Sequence, residues 1–347
     1  MATKAPRCPE CEDDLSFLDR RVFLRAAAAG AAAVATRGLA GAADAPASPQ
    51  QTPETVVKLL YDSLSDTQRK VVCFDWEHVD PERGRLRTRV ANNWRITPPA
   101  IKSDFFTAEQ QRMIRDIFEG MIQPDWHARF DKQLQDDAGG WGLRQSIAIF
   151  GRPGQGKFEF VLTGRHMTLR CDGNSAEHVA FGGPIFYGHA ASGFNEKPDH
   201  PGNVFWPQAL AANHVFKMLD GKQQKEALLD QAPEESRVAF QGPSGRFPGI
   251  PVQDLSADQK EHLQKVLQKL IEPYRQADRD EVLACLTKQG GLDKLSLAFY
   301  KQEDLGGDRI WDIWRLEGPA FVWHFRGAPH VHVWVNVADD PSVKLNA

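Results

Sequence analysis

Segments with a two-residue hydrophobic period lie on both sides of a long helical middle, and this order constrains the fold more than any other feature. Short runs separated by Gly-rich turns predict hairpin-connected strands over residues 143–150, 158–162, 167–171 and 178–181. A second group of strands is predicted over residues 294–300, 309–316, 321–325 and 330–337. The two groups can share one sheet only if the chain returns to it after the helices. We therefore predict an α+β fold, with an antiparallel sheet and helices packed on one side or end.

Capping signals mark several helices. Thr52 precedes a Pro, and Ser65 precedes an Asp. Thr107 and Ser256 each stand three residues before a Gln, which is the spacing of a capping box. Further helices are predicted over residues 207–219, 223–231 and 278–288, and one more strand around residues 87–96. Residues 240–251 hold three Gly and three Pro, which predicts a long irregular loop and a candidate rim for a cleft.

The N-terminus reads as an export signal. Arg20 and Arg21 precede Phe23-Leu24, an Ala-rich run over residues 26–35 and small residues at 39–42. We predict a twin-arginine signal over residues 1–42, a flexible N-terminus over 43–51 and one α+β domain over 52–340. The implied partner is the twin-arginine export machinery, and the implied location is periplasmic or otherwise extracytoplasmic. An uncleaved signal that serves as an anchor is the alternative.

Charge and cysteine content exclude several classes. The full chain has a net charge of −4, and a mildly acidic surface disfavours nucleic acids and anionic membranes as partners. No long apolar run follows residue 42, so no membrane span is expected after the signal is removed. Cys8 and Cys11 lie in the signal, and the other three cysteines allow one internal disulfide at most.

A phosphate-loop pattern at Gly151–Lys157 is better explained as a turn. It fits G-x-x-x-x-G-K, but Phe158 stands where a Ser or Thr would bind magnesium. The residues that follow predict a strand, whereas a phosphate site needs a helix N-terminus there. We therefore predict a hairpin turn.

The strongest chemical signal is the His330-Val331-His332 strand. Alternate side chains on a strand share a face, so both imidazoles can approach one metal ion. If the loop Arg326–Pro329 makes Phe325 pair with His330, then Trp323 faces His332, and His324 points to the opposite face.

A metal needs at least one more ligand, and His166 is the first choice, with His189 and His324 in reserve. The ligand nitrogens should then lie within about 5 Å of one another, given bonds of about 2 Å. Zinc, copper and iron all suit imidazole. Candidate catalytic residues are Glu317 as a base and Arg165 and Arg315 for an anionic substrate.

The chain resembles an exported bacterial family known as domain of unknown function 3500. The resemblance rests on five segments in the family's order, at residues 149–153, 164–166, 184–188, 315–319 and 330–334. It implies that His166, His330 and His332 form a shared set. The family has Gly-His-His where this chain has Gly164-Arg165-His166, and a glutamate near His324, so His324 is a candidate local substitute. The family name implies no activity.

Three functions remain open at this point. The first is an exported metal-dependent enzyme, with hydrolysis as the simplest reaction. The second is a non-catalytic extracytoplasmic protein that uses some of its nine tryptophans to bind an unknown small molecule. The third is an interaction module in which the histidines are structural.

Overall fold

A computed structural model describes residues 51–191, 200, 202–306 and 308–343. Within them the chain forms eight α-helices and eleven strands. The helices are α1 (Pro53–Ser63), α2 (Asp66–Val72), α3 (Ala108–Met121), α4 (Pro124–Ala138), α5 (Trp206–Met218), α6 (Gly221–Ala227), α7 (Ala257–Ile271) and α8 (Gln276–Lys288). The strands are β1 (Cys73–Phe74), β2 (Ser146–Gly151), β3 (Phe158–Gly164), β4 (Met167–Cys171), β5 (Ile185–His189), β6 (Leu228–Leu229), β7 (Ile250–Pro251), β8 (Ser296–Tyr300), β9 (Ile313–Gly318), β10 (Phe321–Arg326) and β11 (Val331–Val337).

All eleven strands belong to one sheet. Its order is β1-β2-β3-β4-β5-β11-β10-β9-β8-β6, and β7 pairs with β8. The early and late strand groups meet where β5 pairs with β11, so the chain does return to the sheet after the helices. The α+β class is therefore confirmed. The sheet is mixed, however, because β1–β2 and β6–β8 are parallel.

The large hydrophobic core contains every second side chain of the strands, which share one face of the sheet, and residues from every described helix. Its largest buried members include Trp314, Trp323 and Tyr187. The helix starts follow their capping signals: Ser65, Thr107 and Ser256 each form a complete capping box. A box satisfies two backbone N–H groups that would otherwise lack partners, which explains why these three helices begin where the sequence predicts.

The alternate strand side chains pack against two irregular segments, which we name strap A (residues 75–99) and strap B (residues 230–249). Strap A contributes Leu86 and Ile96 to a small cluster with Phe150. Strap B contributes Val238 to another cluster with Trp334. Both straps therefore cover apolar sheet surface without adding a strand.

Strap A includes the predicted strand at residues 87–96, and that prediction is wrong. The Ile96 backbone N–H donates to the hydroxyls of Ser146 and Thr163, and the Arg170 guanidinium donates to the Arg89 carbonyl. Side chains that rise from the sheet face thus satisfy part of this segment's backbone, and its backbone pairing with the sheet is limited to one isolated bridge between Asn93 and Arg165. The segment therefore forms no continuous ladder of backbone hydrogen bonds with a neighbouring strand.

Other local predictions have mixed outcomes. Gly151 pairs with Phe158 across a hairpin, which confirms the turn at the phosphate-loop pattern. Residues 178–181 form no strand, and β5 begins later, at Ile185. The sequence reasoning missed α4 altogether. The twin-arginine segment lies outside the described residues, and none of the described helices has the length and apolar character that crossing a bilayer requires.

Candidate metal centre

Three imidazoles meet at one end of the sheet. The Nε2 atom of His332 lies 3.1 Å from Nε2 of His166 and 3.0 Å from Nε2 of His330. One ring nitrogen from each of the three residues lies within 4.8 Å of the other two. All three side chains are fully buried. The structure therefore brings together the three residues that the sequence selected.

Strand order explains how His166 reaches His332. Met167 pairs with Tyr187 on β5, and His332 pairs with Gly188, so the positions of His166 and His332 flank Gly188. A Cβ atom on Gly188 would lie 2.3 Å from the Val331 carbonyl oxygen and 3.5 Å from Cδ2 of His166. Gly188 therefore leaves the space in which the two imidazoles meet.

His166 stands in the two-residue turn between β3 and β4. Its backbone has φ +53°, a left-handed conformation that is uncommon for residues other than glycine. Its backbone N–H donates to the Asn92 carbonyl of strap A at 2.8 Å. The strained turn is thus held from outside the sheet, as is common where a side chain must be aimed.

The predicted register of the last hairpin is wrong. His332 pairs with Arg326 and His324 pairs with Trp334, a shift of three positions from the predicted pairing. The reason is that Arg326 belongs to β10 and His330 to the loop, so the first pair of the hairpin is Arg326 with His332. An odd shift exchanges the faces of a strand, so Trp323 lies on the opposite face from His332, and His324 shares its face.

Two buried carboxylates hold the outer nitrogens of the triad. Oδ2 of Asp137, at the end of α4, lies 2.8 Å from Nδ1 of His166. Oε1 of Glu235, on strap B, lies 3.0 Å from Nδ1 of His332. A carboxylate that accepts a hydrogen bond from Nδ1–H leaves the Nε2 lone pair free for a metal, which is the usual outer-shell arrangement for a metal-binding histidine.

Burial and neighbouring cations disfavour the charged forms of His166 and His332. Desolvation, followed by the charges of Arg165 and Arg326, holds the pKa of His166 well below its usual value. The same causes, with Arg326 as the largest charge, hold the pKa of His332 well below its usual value. Burial also raises the pKa of Asp137 to about 6, against the opposing charges of His189 and Arg165. Neutral imidazole is the form that binds metal.

The two reserve histidines lie outside the triad. His189 pairs with Val331 across β5 and β11, one position away from Gly188, so it points to the other face. Its Nε2 atom donates to Asp136 at 2.9 Å, and its Nδ1 atom accepts from the Val204 backbone. His324 accepts at Nδ1 from the Arg315 guanidinium at 3.1 Å. Each has its own partners among the described residues.

The candidate catalytic residues fall into two places. Arg165 is next to His166 in the turn, and its charge acts on the triad. Glu317 and Arg315 lie together on β9, where Gln241 of strap B donates to Glu317 at 3.0 Å. Glu317 is four residues along β9 from the position opposite Arg326, which is roughly 13 Å of strand. It is therefore remote from the triad.

Sequence reasoning missed Asp137, Glu235, Arg326 and Gly188. A signal for Asp137 does exist. It lies on the same stripe of α4 as the buried Trp126 and Phe130, at the helix C-terminus, where the helix dipole disfavours a carboxylate. An acidic residue in that position needs a partner. No comparable pattern marks Glu235, because strap B has no period.

The centre has the composition of a three-histidine metal site. For zinc–nitrogen bonds of 2.0–2.1 Å and tetrahedral angles, ligand nitrogens stand about 3.3 Å apart. The two short separations at His332 are close to that value. Each buried Nε2 pair also needs either a shared proton or a shared cation, because two lone pairs that face each other repel. The residues present therefore fit a transition-metal ion.

Comparison with known proteins agrees with the sequence resemblance. No curated protein and no solved structure matches this chain. One family model matches residues 46–337, which is most of the sequence, and it is described as a protein of unknown function, DUF3500. The chain therefore belongs to the DUF3500 family.

Proposed function

We propose that His166, His330 and His332 bind one divalent transition-metal ion, with zinc as the first candidate and copper or iron as the others. The convergence of three buried imidazoles carries this proposal. Asp137 and Glu235 support it, because they orient two of the rings so that Nε2 faces the shared centre.

The proposed activity is metal-dependent hydrolysis. Three protein ligands leave a fourth position for water or substrate, and a bound metal would lower the pKa of that water. Arg165 adds positive charge beside the triad, which favours an anionic group on the substrate, whereas Glu235 offsets the charge of Arg326. Hydrolysis also needs no second cofactor.

A structural or ligand-binding role is the second candidate, and one observation favours it. All three imidazoles are fully buried, as in a closed structural site. A closed site would bind metal tightly but would neither exchange it quickly nor hydrolyse a test ester. Slow chelator-induced metal loss together with no hydrolysis would therefore select this candidate.

We further propose that residues 1–42 direct export by the twin-arginine route, which moves folded proteins. The support is the Arg20-Arg21 pair followed by the Ala-rich run. Replacing both residues with lysine should leave a fused reporter in the cytoplasm. Export of the lysine variant at the wild-type level would contradict the proposal.

The deciding experiment is metal analysis of full-length protein purified without an affinity tag. We expect one ion per chain, lost in both His332→Ala and His166→Ala. A matched control is the His214→Ala/His262→Ala double variant, because these two rings lie 4.8 Å apart on α5 and α7, away from the sheet. Metal that stays bound in both triad variants, or that is lost from the control variant, would place the site elsewhere.

A further inference from the structure

Two oppositely charged side chains contact the same atom of His332. The guanidinium Nη2 atom of Arg326 lies 2.7 Å from Nδ1 of His332, and Oε1 of Glu235 lies 3.0 Å from the same Nδ1 atom. Arg326 and Glu235 also pair with each other, Nε to Oε2, at 3.1 Å. All three side chains are at least nine-tenths buried.

These two contacts require opposite states of one nitrogen. An arginine N–H can only donate, so it needs a lone pair on Nδ1 of His332. A carboxylate can only accept, so Glu235 needs a proton there. A neutral imidazole has one proton on its two nitrogens, so only one of the contacts is a hydrogen bond at any time.

The choice at Nδ1 fixes what Nε2 can do. If Nδ1 carries the proton, the Nε2 lone pair faces His166 and His330 and can bind a metal. If Nε2 carries it, that N–H can donate to Nε2 of His166, where Asp137 already holds the ring proton on the far nitrogen. The first arrangement satisfies the two facing Nε2 atoms only when a metal ion is bound, and the second satisfies them without one, as a low-dielectric interior demands.

We propose that Arg326 and Glu235 are positioning residues that exchange as the partner of His332 when metal binds. Glu235 accepts from Nδ1 in the metal-bound protein, and Arg326 donates to Nδ1 in the metal-free protein. The proton moves between two nitrogens of one ring, so none is gained or lost. This inference rests on the proposed metal site and adds a reason why the site can be emptied without collapse.

The exchange predicts opposite effects from two residues that contact the same atom. Glu235→Gln removes the acceptor that the metal-bound form needs, and zinc affinity should fall about 10–100-fold. Arg326→Met removes the donor that favours the metal-free form, and zinc affinity should rise about tenfold. A purely structural role for both residues would weaken binding in both variants.

Charge alone could also tighten binding in Arg326→Met, so Arg165→Met is the matched control. It removes an equally buried positive charge beside the triad, from the turn before His166. We expect a smaller gain in zinc affinity there than in Arg326→Met. Equal gains would reduce the effect to electrostatics and overturn the proposal. Arg326→Lys keeps a donor and should behave as wild type.

Nitrogen-15 NMR of the histidine rings in the full-length protein gives a direct readout. In wild type, His332 should carry its proton on Nε2 without zinc and on Nδ1 with zinc. In metal-free Arg326→Met, a larger share of His332 should carry the proton on Nδ1 than in metal-free wild type. Zinc binding with the same wild-type tautomer in both states would overturn the exchange alone. Failure to bind zinc would overturn the proposed function and the exchange with it.

Discussion

Asp137 offers the sharpest test of how the centre is organised. Its Oδ2 atom accepts from Nδ1 of His166 at 2.8 Å and from the Gln133 amide at 2.8 Å, while Oδ1 accepts from the Ala190 backbone at 3.0 Å. Asp137→Asn keeps the shape but turns one of these oxygens into an NH2 group. In either amide orientation, a buried donor then faces another donor.

This contact between two donors determines the effect of Asp137→Asn on metal binding. If the NH2 group faces His166, that ring must carry its proton on Nε2, where the metal would bind. One buried mismatch of this kind costs about 1–3 kcal/mol. We therefore expect zinc affinity to fall about 10–100-fold, as is typical for loss of an outer-shell carboxylate. Unfolding free energy of the metal-free variant should change less, because asparagine avoids the cost of ionising a buried group whose pKa is raised to about 6.

The neighbouring residue supplies the control. Asp136 is on the same turn of α4 and also accepts from a buried histidine, but its partner is His189. Asp136→Asn makes the same change in charge and shape outside the triad. Zinc affinity measured by chelator competition near neutral pH should stay within about twofold of wild type. Equal losses in the two variants would refute the assigned role of Asp137.

Three further variants test other parts of the structure. Gly188→Ala puts a Cβ atom 2.3 Å from the Val331 carbonyl oxygen. We therefore expect the unfolding free energy, measured in urea, to fall by about 1–3 kcal/mol and zinc binding to weaken. Neither change would be seen if β5 and β11 can separate freely. His324 has a pKa well below its usual value because of burial and Arg315, so the unfolded chain binds its proton first and stability falls as pH drops below about 6.5. His324→Gln should remove about 1.4 kcal/mol per pH unit from that fall, measured by urea unfolding between pH 6.5 and 5, and an unchanged slope would contradict the assignment. Glu159 is fully buried between two arginines, so Glu159→Gln should cost about 3–5 kcal/mol in unfolding free energy while leaving zinc affinity unchanged, and a zinc effect would link the two clusters.

Predictions from sequence succeeded where a local pattern decides the structure. Capping signals at Ser65, Thr107 and Ser256 placed three helices, and the His-x-His spacing placed two of the three triad histidines together. These features depend on residues that are close in the chain. They can therefore be read without knowing what packs against them.

The errors arose where distant residues decide. A strand was predicted in strap A, but several of its backbone hydrogen bonds go to side chains of the sheet, and it pairs with the sheet only through one isolated bridge. The register at His332 was wrong because the hairpin closes at Arg326 and His332 rather than at Phe325 and His330, with five residues between the pair instead of four. Glu235 could not be predicted, since nothing in the sequence of an irregular segment shows that its carboxylate contacts a distant histidine.

The triad joins parts of the chain that are far apart: His166 and His332 are separated by 166 positions. Neither hairpin alone can present the full set, because β5 and its glycine must lie between them. A bound ion would therefore act as a cross-link across a very long loop, and such links restrict the unfolded chain most strongly. Metal retention then reports that the early and late strand groups have joined at β5 and β11, which gives a single measurable signal for that long-range step of folding.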